Sequence, residues 1–238
     1  MSARYLMKSV PSTMRAHGGF EWPCAAGVRV AAPDWDSTPR CGGGLHGALN
    51  GAGSGWLFCW DTDAVWIVAA IPDDAEVVDL DGKVKVSHCD TVVVGTREDA
   101  TRWLVERGFP GVIGATLAGG YRSMLTGGYR SMLTGGDRST LAGGDRSTLT
   151  GGDRSTLIGG DYSTLTGGVG SVLTGGDRST LTGSIGSTLT GGYGSALIVR
   201  TAACLAVARV GDGGLTPGVR YRVVDGSFVE VEELLNED

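Results

Sequence analysis

Leucine falls at every eighth position from Leu117 to Leu197, eleven times without a break. Around each leucine the chain reads Gly-Gly-Asp-Arg-Ser-Thr-Leu-Thr, as at 175–182, so polar and apolar positions alternate briefly and then give way to glycine. Eight is not a helical period, and each glycine would cost a helix about 1 kcal/mol. Two-fold alternation with β-branched residues predicts a short strand over Arg-Ser-Thr-Leu-Thr. The Gly-Gly-Asp that follows is expected to turn, with glycine supplying the left-handed backbone. Short units repeated this often wind rather than meander. Two units per coil predict a mainly β fold: a two-sided β-solenoid of about 5.5 sixteen-residue coils over residues 114–198. Ser and Leu then point inward and both threonines outward. At ~4.7–4.9 Å per coil the stack is roughly 26 Å long.

The flanks lack this period. Residues 1–113 hold all six tryptophans, and strands are expected at 26–31, 56–60, 64–71, 76–80, 84–87 and 91–95. One helix is expected between a Thr96 cap and Gly108, with Glu98–Arg102 and Arg102–Glu106 pairs outside and Ala100, Trp103 and Leu104 inside. This is a small α+β domain that would also shield the first coil, whose open strand edge otherwise invites further pairing. Residues 199–238 read as a β cap with an acidic tail. Strand-like residues run from Ala203 to Val210, Pro217-Gly218 turns, and Val219–Val224 pairs with Ser227–Val231 across Asp225-Gly226. The acidic end from Glu230 to Asp238 is expected to fray.

The run Gly-Asp-Arg-Ser-Thr-Leu-Thr-Gly, with variants at Tyr129-Arg130-Ser131 and Tyr193-Gly194-Ser195, resembles the repeats of bacterial ice nucleation proteins. The stretch from Leu205 through Gly211-Asp212 and Pro217-Gly218 to Val223 resembles the segment that closes that family's solenoid. Together these cover about residues 114–225. The chain departs from the family in coil number, in Gly-Gly where Ala-Gly is usual, and in lacking a Thr-Gln-Thr variant. The resemblance implies ice or ordered water as the partner, self-assembly into larger arrays, and a cell-surface location at the outer membrane.

Threonines two apart on a strand stand ~6.7 Å apart, and adjacent coils ~4.7 Å, so a rigid stack forms a grid of hydroxyls and methyls able to order water. Coil parity collects Thr134, Thr148/Thr150, Thr164/Thr166 and Thr180/Thr182 on one face, the expected ice-binding face. The other face carries Thr140/Ala142, Thr156/Ile158, Val172/Thr174 and Thr188/Thr190, of which only Thr188/Thr190 is a complete pair; with Thr148, Thr150, Thr164, Thr166, Thr180 and Thr182, Thr188 and Thr190 make eight expected water-binding threonines. Arginines stack along the two edges, Arg130, Arg146 and Arg178 on one and Arg122, Arg138 and Arg154 on the other. Asp145, Asp161 and Asp177, or Asp137 and Asp153, stand beside them, and the alternation of sign relieves like-charge ladders. The resemblance assigns assembly to such arginine-bearing coils. The competing reading is a structural or protein-binding solenoid, a phage or bacterial scaffold without ice activity.

Charge and composition narrow the alternatives. A net charge of −6, with 17 Arg and 3 Lys and no basic run, argues against a nucleic-acid partner. The regions 1–113, 114–198 and 199–238 carry −4, +1 and −3, which sum to −6. Glycine at 42 residues without a period of three excludes collagen. No apolar run reaches a transmembrane length, and no cleavable signal peptide is visible, which by sequence alone favours the cytoplasm. Five scattered cysteines show neither a disulfide framework nor a metal spacing, and His88-Cys89 lacks a second ligand pair. Gly51-Ala-Gly-Ser-Gly55 lacks the lysine of a phosphate loop. Cys41-Gly-Gly-Gly-Leu-His46 resembles a stretch in small phage and bacterial domains of unknown function. Its Cys and His suit a nucleophile and base, but no orienting group accompanies them, and a packed turn explains the residues better. The sequence therefore predicts no enzyme, no catalytic residues, no metal and no cofactor.

Overall fold

The computed structural model describes residues 3–212 and 214–231, and the chain divides into compact units at 1–115 and 116–238. The expected fraying end beyond residue 231 lies outside the described residues.

The N-terminal unit is one curled, half-barrel sheet of seven antiparallel strands. They are β1 (Arg4–Val10), β2 (Arg29–Ala31), β3 (Leu45–Leu49), β4 (Val65–Ile71), β5 (Val77–Asp79), β6 (Val84–Val86) and β7 (His88–Gly95), in the order β2-β7-β4-β1-β3-β6-β5. Leu6, Val10, Trp22, Leu45, Ile67 and Val86 form the core on one side. The helix α1 (Arg97–Val105) packs on β4 and β7. Thr96 caps it as expected. Its Oγ1 accepts the Asp99 N–H at 3.2 Å, and Asp99 accepts the Thr96 N–H at 3.3 Å, a reciprocal box that satisfies two end amides. Two expectations fail here. The run 56–60 is no strand: Gly55–Leu57 forms a 3-10 turn with Trp56 72% exposed. The strands β1 and β3 were not expected.

The second unit is the solenoid. One sheet stacks β8 (Thr116–Ala118), β10 (Met132–Thr134), β12 (Thr148–Thr150), β14 (Thr164–Thr166), β16 (Thr180–Gly183) and β18 (Ala196–Arg200). The other stacks β9 (Met124–Thr126), β11 (Thr140–Ala142), β13 (Thr156–Ile158), β15 (Val172–Gly175) and β17 (Thr188–Gly191). All these neighbours are parallel, with leucine opposite leucine at every step. The leucines from Leu133 to Leu197 are 0–1% exposed. Beside them runs a second ladder of buried serines. Ser155 Oγ accepts the Ser139 N–H from the coil below at 3.3 Å and donates to Gly136 O at 3.2 Å, and Ser163 and Ser179 repeat the pattern. Each of these three hydroxyls thus satisfies two backbone groups that the dry interior would otherwise leave costly.

The turns differ from expectation. Most strands are only three residues long, and the left-handed residue belongs not to the Gly-Gly pair but is the one just before Ser. Arg122, Arg130, Arg138, Arg146, Arg154 and Arg178 have φ of 53–58°, as does Tyr162 at 56°. The glycine pair serves closeness instead. A Cβ on Gly151 would meet Ser155 Cβ at 2.7 Å and Leu157 Cδ1 at 2.9 Å, and one on Gly160 would meet Asp145 N at 2.7 Å.

The C-terminal end closes both sheets with antiparallel strands. β19 (Leu205–Arg209) lies on β18, and β20 (Arg220–Val224) lies on β17. A hairpin then adds β21 (Ser227–Glu230), with Asp225 and Gly226 at φ of 48° and 81°, the turn the Asp-Gly pair predicts. Val199, Val210 and Tyr221 complete the leucine core at this end.

Candidate functional site

The registers decide where each threonine stands. Thr148, Thr164 and Thr180 pair in one column, and Thr150, Thr166 and Thr182 in the next. Two columns and three coils give six threonines on one sheet, exposed or half-buried and all pointing away from the leucines. Met132/Thr134 precede them and Ala196/Ile198 follow. Thr188 and Thr190 lie on the opposite sheet, beside Val172/Thr174. That sheet is interrupted by Ala142, Ile158 and Val172, the last two 48% and 42% exposed. The structure therefore brings six of the eight expected water-binding threonines together and sets two apart.

A grid orders water only if it is stiff. Threonine is β-branched and restricted at χ1, and three sets of bonds hold its backbone: the parallel ladder, the serine ladder, and a set that sequence reading missed. Oδ1 of Asp137, Asp145, Asp153, Asp161 and Asp177 accepts a backbone N–H sixteen residues on, at 2.8–3.0 Å. The aspartates beside the arginines thus also clamp the coils. The aspartate at one fixed turn position in four consecutive units, Asp137 to Asp161, and again at Asp177 was the available signal. Removing one clamp, Asp161→Ala, should cost about 0.5–1.5 kcal/mol, a fall in Tm of roughly 1–6 °C. Asp161→Asn keeps the oxygen and should leave the thermal melt nearly unchanged.

All six candidate assembly arginines stand at the turn corners. Arg138 and Arg154, on the edge with Arg122, are exposed. Arg146 and Arg178 flank the Tyr162 ring, at 5.4 and 5.7 Å from its centroid, and Arg178 Nη1 donates to Tyr162 Oη at 2.7 Å. Left-handed backbone costs a non-glycine residue about 1–2 kcal/mol, and the chain itself uses glycine at the equivalent Gly170, Gly186 and Gly194. A charged side chain is kept at a position where glycine fits without strain.

Comparison with known proteins bears on this arrangement. An ice nucleation protein of Pseudomonas syringae is 48% identical over 104 residues, 43% of this chain and 9% of the relative. This match, together with the β-solenoid, supports an ice nucleation protein-like family. Ice nucleation protein InaU of Pantoea ananas is 30% identical over 42% of the chain and 10% of its own length. An ice nucleation protein of Pseudomonas fluorescens is 29% identical over 42% of the chain and 8% of its own. The chain spans about a tenth or less of the length of the relatives it matches. No family model and no solved structure matches it. Among the described residues, no helix is long and apolar enough to cross a membrane, and no cluster of three or more His, Cys, Asp or Glu is placed to hold a metal.

Proposed function

We propose that the solenoid orders water on the face of Thr148, Thr150, Thr164, Thr166, Thr180 and Thr182, and that copies assemble through the arginine-bearing corners. The observation that carries this is the unbroken, in-register threonine grid on a clamped backbone. Its rows repeat at ~6.7 Å along the strand and ~4.8 Å between coils, fixing where hydroxyls and methyls meet the first water layer. A cell-surface location goes with this reading.

Three complete coils make a patch only ~14 Å along the stack. An ice embryo that grows a few degrees below freezing is far larger, so one molecule alone is a poor nucleator and many must join. The test is droplet freezing on size-separated fractions. Assembled fractions should freeze well above buffer and the monomer little above it. No shift at any assembly state would overturn the water-ordering reading and leave a structural or protein-binding solenoid, which the exposed Ile158 and Val172 on the other sheet favour.

The corners supply a second test. Changing Arg122, Arg130, Arg138, Arg146, Arg154 and Arg178 to Gly relieves their left-handed backbone, so the β-rich circular dichroism and the melt should hold. The assembly size read by light scattering should fall, and in the parent protein it should fall as salt rises. Unchanged assembly in the six-fold variant would remove the corners from the account.

A further inference from the structure

The N-terminal unit carries chemistry that the solenoid does not use. β1 and β3 pair only through Leu6–Leu49 and Met7–Ala48. Beyond that point β1 stays with β4, while Leu45–Gly47 pairs with β6. The ladders part, and a cavity of about 930 Å³ is lined by Met7 and Lys8 from one strand and Leu45, His46 and Gly47 from the other. Phe20, Trp22, Leu57 and Phe58 give it apolar walls.

Its polar lining is short of acceptors. Trp22 is 3% exposed, and its indole Nε1 has no hydrogen-bond partner; His46 Nε2 is also buried and unpartnered. Lys8 and Lys83 line the same space. Burial, with the Lys83 charge added, holds both Lys8 and His46 below their usual pKa ranges. The one carboxylate in the lining, Asp34, accepts the Gly44 N–H at 3.2 Å. Buried polar groups left without partners are costly, and an anion would accept from the Trp22 indole and from His46 in the tautomer that carries its proton on Nε2.

Cys41 lines the cavity too, and it is held in place. The fully buried Lys85 donates from Nζ to Arg40 O and Gly42 O, both at 3.0 Å, so the carbonyls on either side of Cys41 are pinned. Lys83, two residues earlier, brings its Nζ to 3.1 Å from Cys41 Sγ. That hydrogen bond holds the thiol below its ordinary range.

We propose that this cleft binds a small organic anion with an apolar body, the charged head taken by Lys8, Lys83 and His46 and the body by Phe20, Leu57 and Phe58. Cys41 is the reactive thiol of that site. Octanoate, 1-octanol and inorganic phosphate separate head from body on the full chain. Each is titrated by calorimetry, while alkylation by iodoacetamide is followed by peptide mass mapping. The thiolate displaces iodide, the S–C bond forms, and the thiol proton passes to water. Exposed Cys24, outside the lining, is the internal control. Cys89, whose burial pushes its thiol up to about 12, should stay unlabelled in folded protein.

Octanoate should bind roughly tenfold more tightly than either fragment and slow labelling of Cys41 but not of Cys24. Lys8→Met and Lys83→Met, each with unchanged circular dichroism, should weaken octanoate roughly tenfold or more. If Lys83→Met does not fold, Lys8→Met decides. Octanol binding as well as octanoate would remove the anionic head from the proposal, and phosphate binding as well would remove the apolar body. Neither heat nor protection from any of the three overturns the site.

Discussion

Assembled protein carrying Thr148→Lys, Thr164→Lys and Thr180→Lys should freeze droplets no earlier than buffer. These three side chains form one column, each opposite the next in register. Lysine replaces a short, χ1-restricted hydroxyl and methyl with a mobile, strongly hydrated ammonium, and a row of them orients water about its own charge. The fold should survive, because the intervening Leu149, Leu165 and Leu181 stay buried. Stacked like charges carry some cost, so a valine version keeps the branched shape without the hydroxyl and should also lose most of the freezing shift. The matching control sits on the other sheet. Thr140→Lys, Thr156→Lys and Thr188→Lys add the same charge there and should leave freezing nearly as it was. Equal loss from both sets would show that charge, not the grid, governs the effect, and the threonine face would be abandoned.

Leu165→Ala should cost about 4 kcal/mol, in the upper part of the range for buried leucine. The size of that loss depends on whether neighbours can close over the hole. Here they cannot. Each strand gives the core a single leucine, and the backbone on both sides is fixed by the amide, serine and aspartate ladders. Leu125, only partly buried in the first coil, should cost about 2 kcal/mol when changed to Ala. Denaturant unfolding followed by far-ultraviolet circular dichroism gives both values. Equal costs would mean that the leucines do not form one continuous core.

The solenoid was legible because its signal is redundant. Eleven leucines at one spacing fix inside and outside, and parity then assigns each threonine to a sheet without any knowledge of the turns. The turns themselves were not legible. Glycine is the usual left-handed residue, and nothing local shows that a Cβ at the glycines would strike serine, leucine or the coil below. The arginine therefore takes the left-handed corner although the sequence offers two glycines nearby. In the N-terminal unit, β1 hid because both its faces are largely buried, which erases alternation. The aromatic-rich 56–60 imitated a strand by composition alone. The Cys41 cleft was invisible for a different reason. Its partners Lys8, Trp22 and the Lys83/Lys85 pair come from three separate segments, and only the parting of β1 from β3 brings them together.

The sixteen-residue reach of the serine and aspartate bonds sets a rule for how such a chain changes length. Loss or gain of one whole coil leaves every later strand on its own sheet, with each clamp finding an equivalent partner. Loss or gain of a single eight-residue unit does not. Every later strand would then cross to the opposite sheet, the threonine columns would break at that point, and β19 and β20 would meet exchanged partners. Slippage within the repeated gene is thus tolerated only in pairs of units. Related chains should therefore differ in coil number while keeping the same parity between their threonine face and their closing strands.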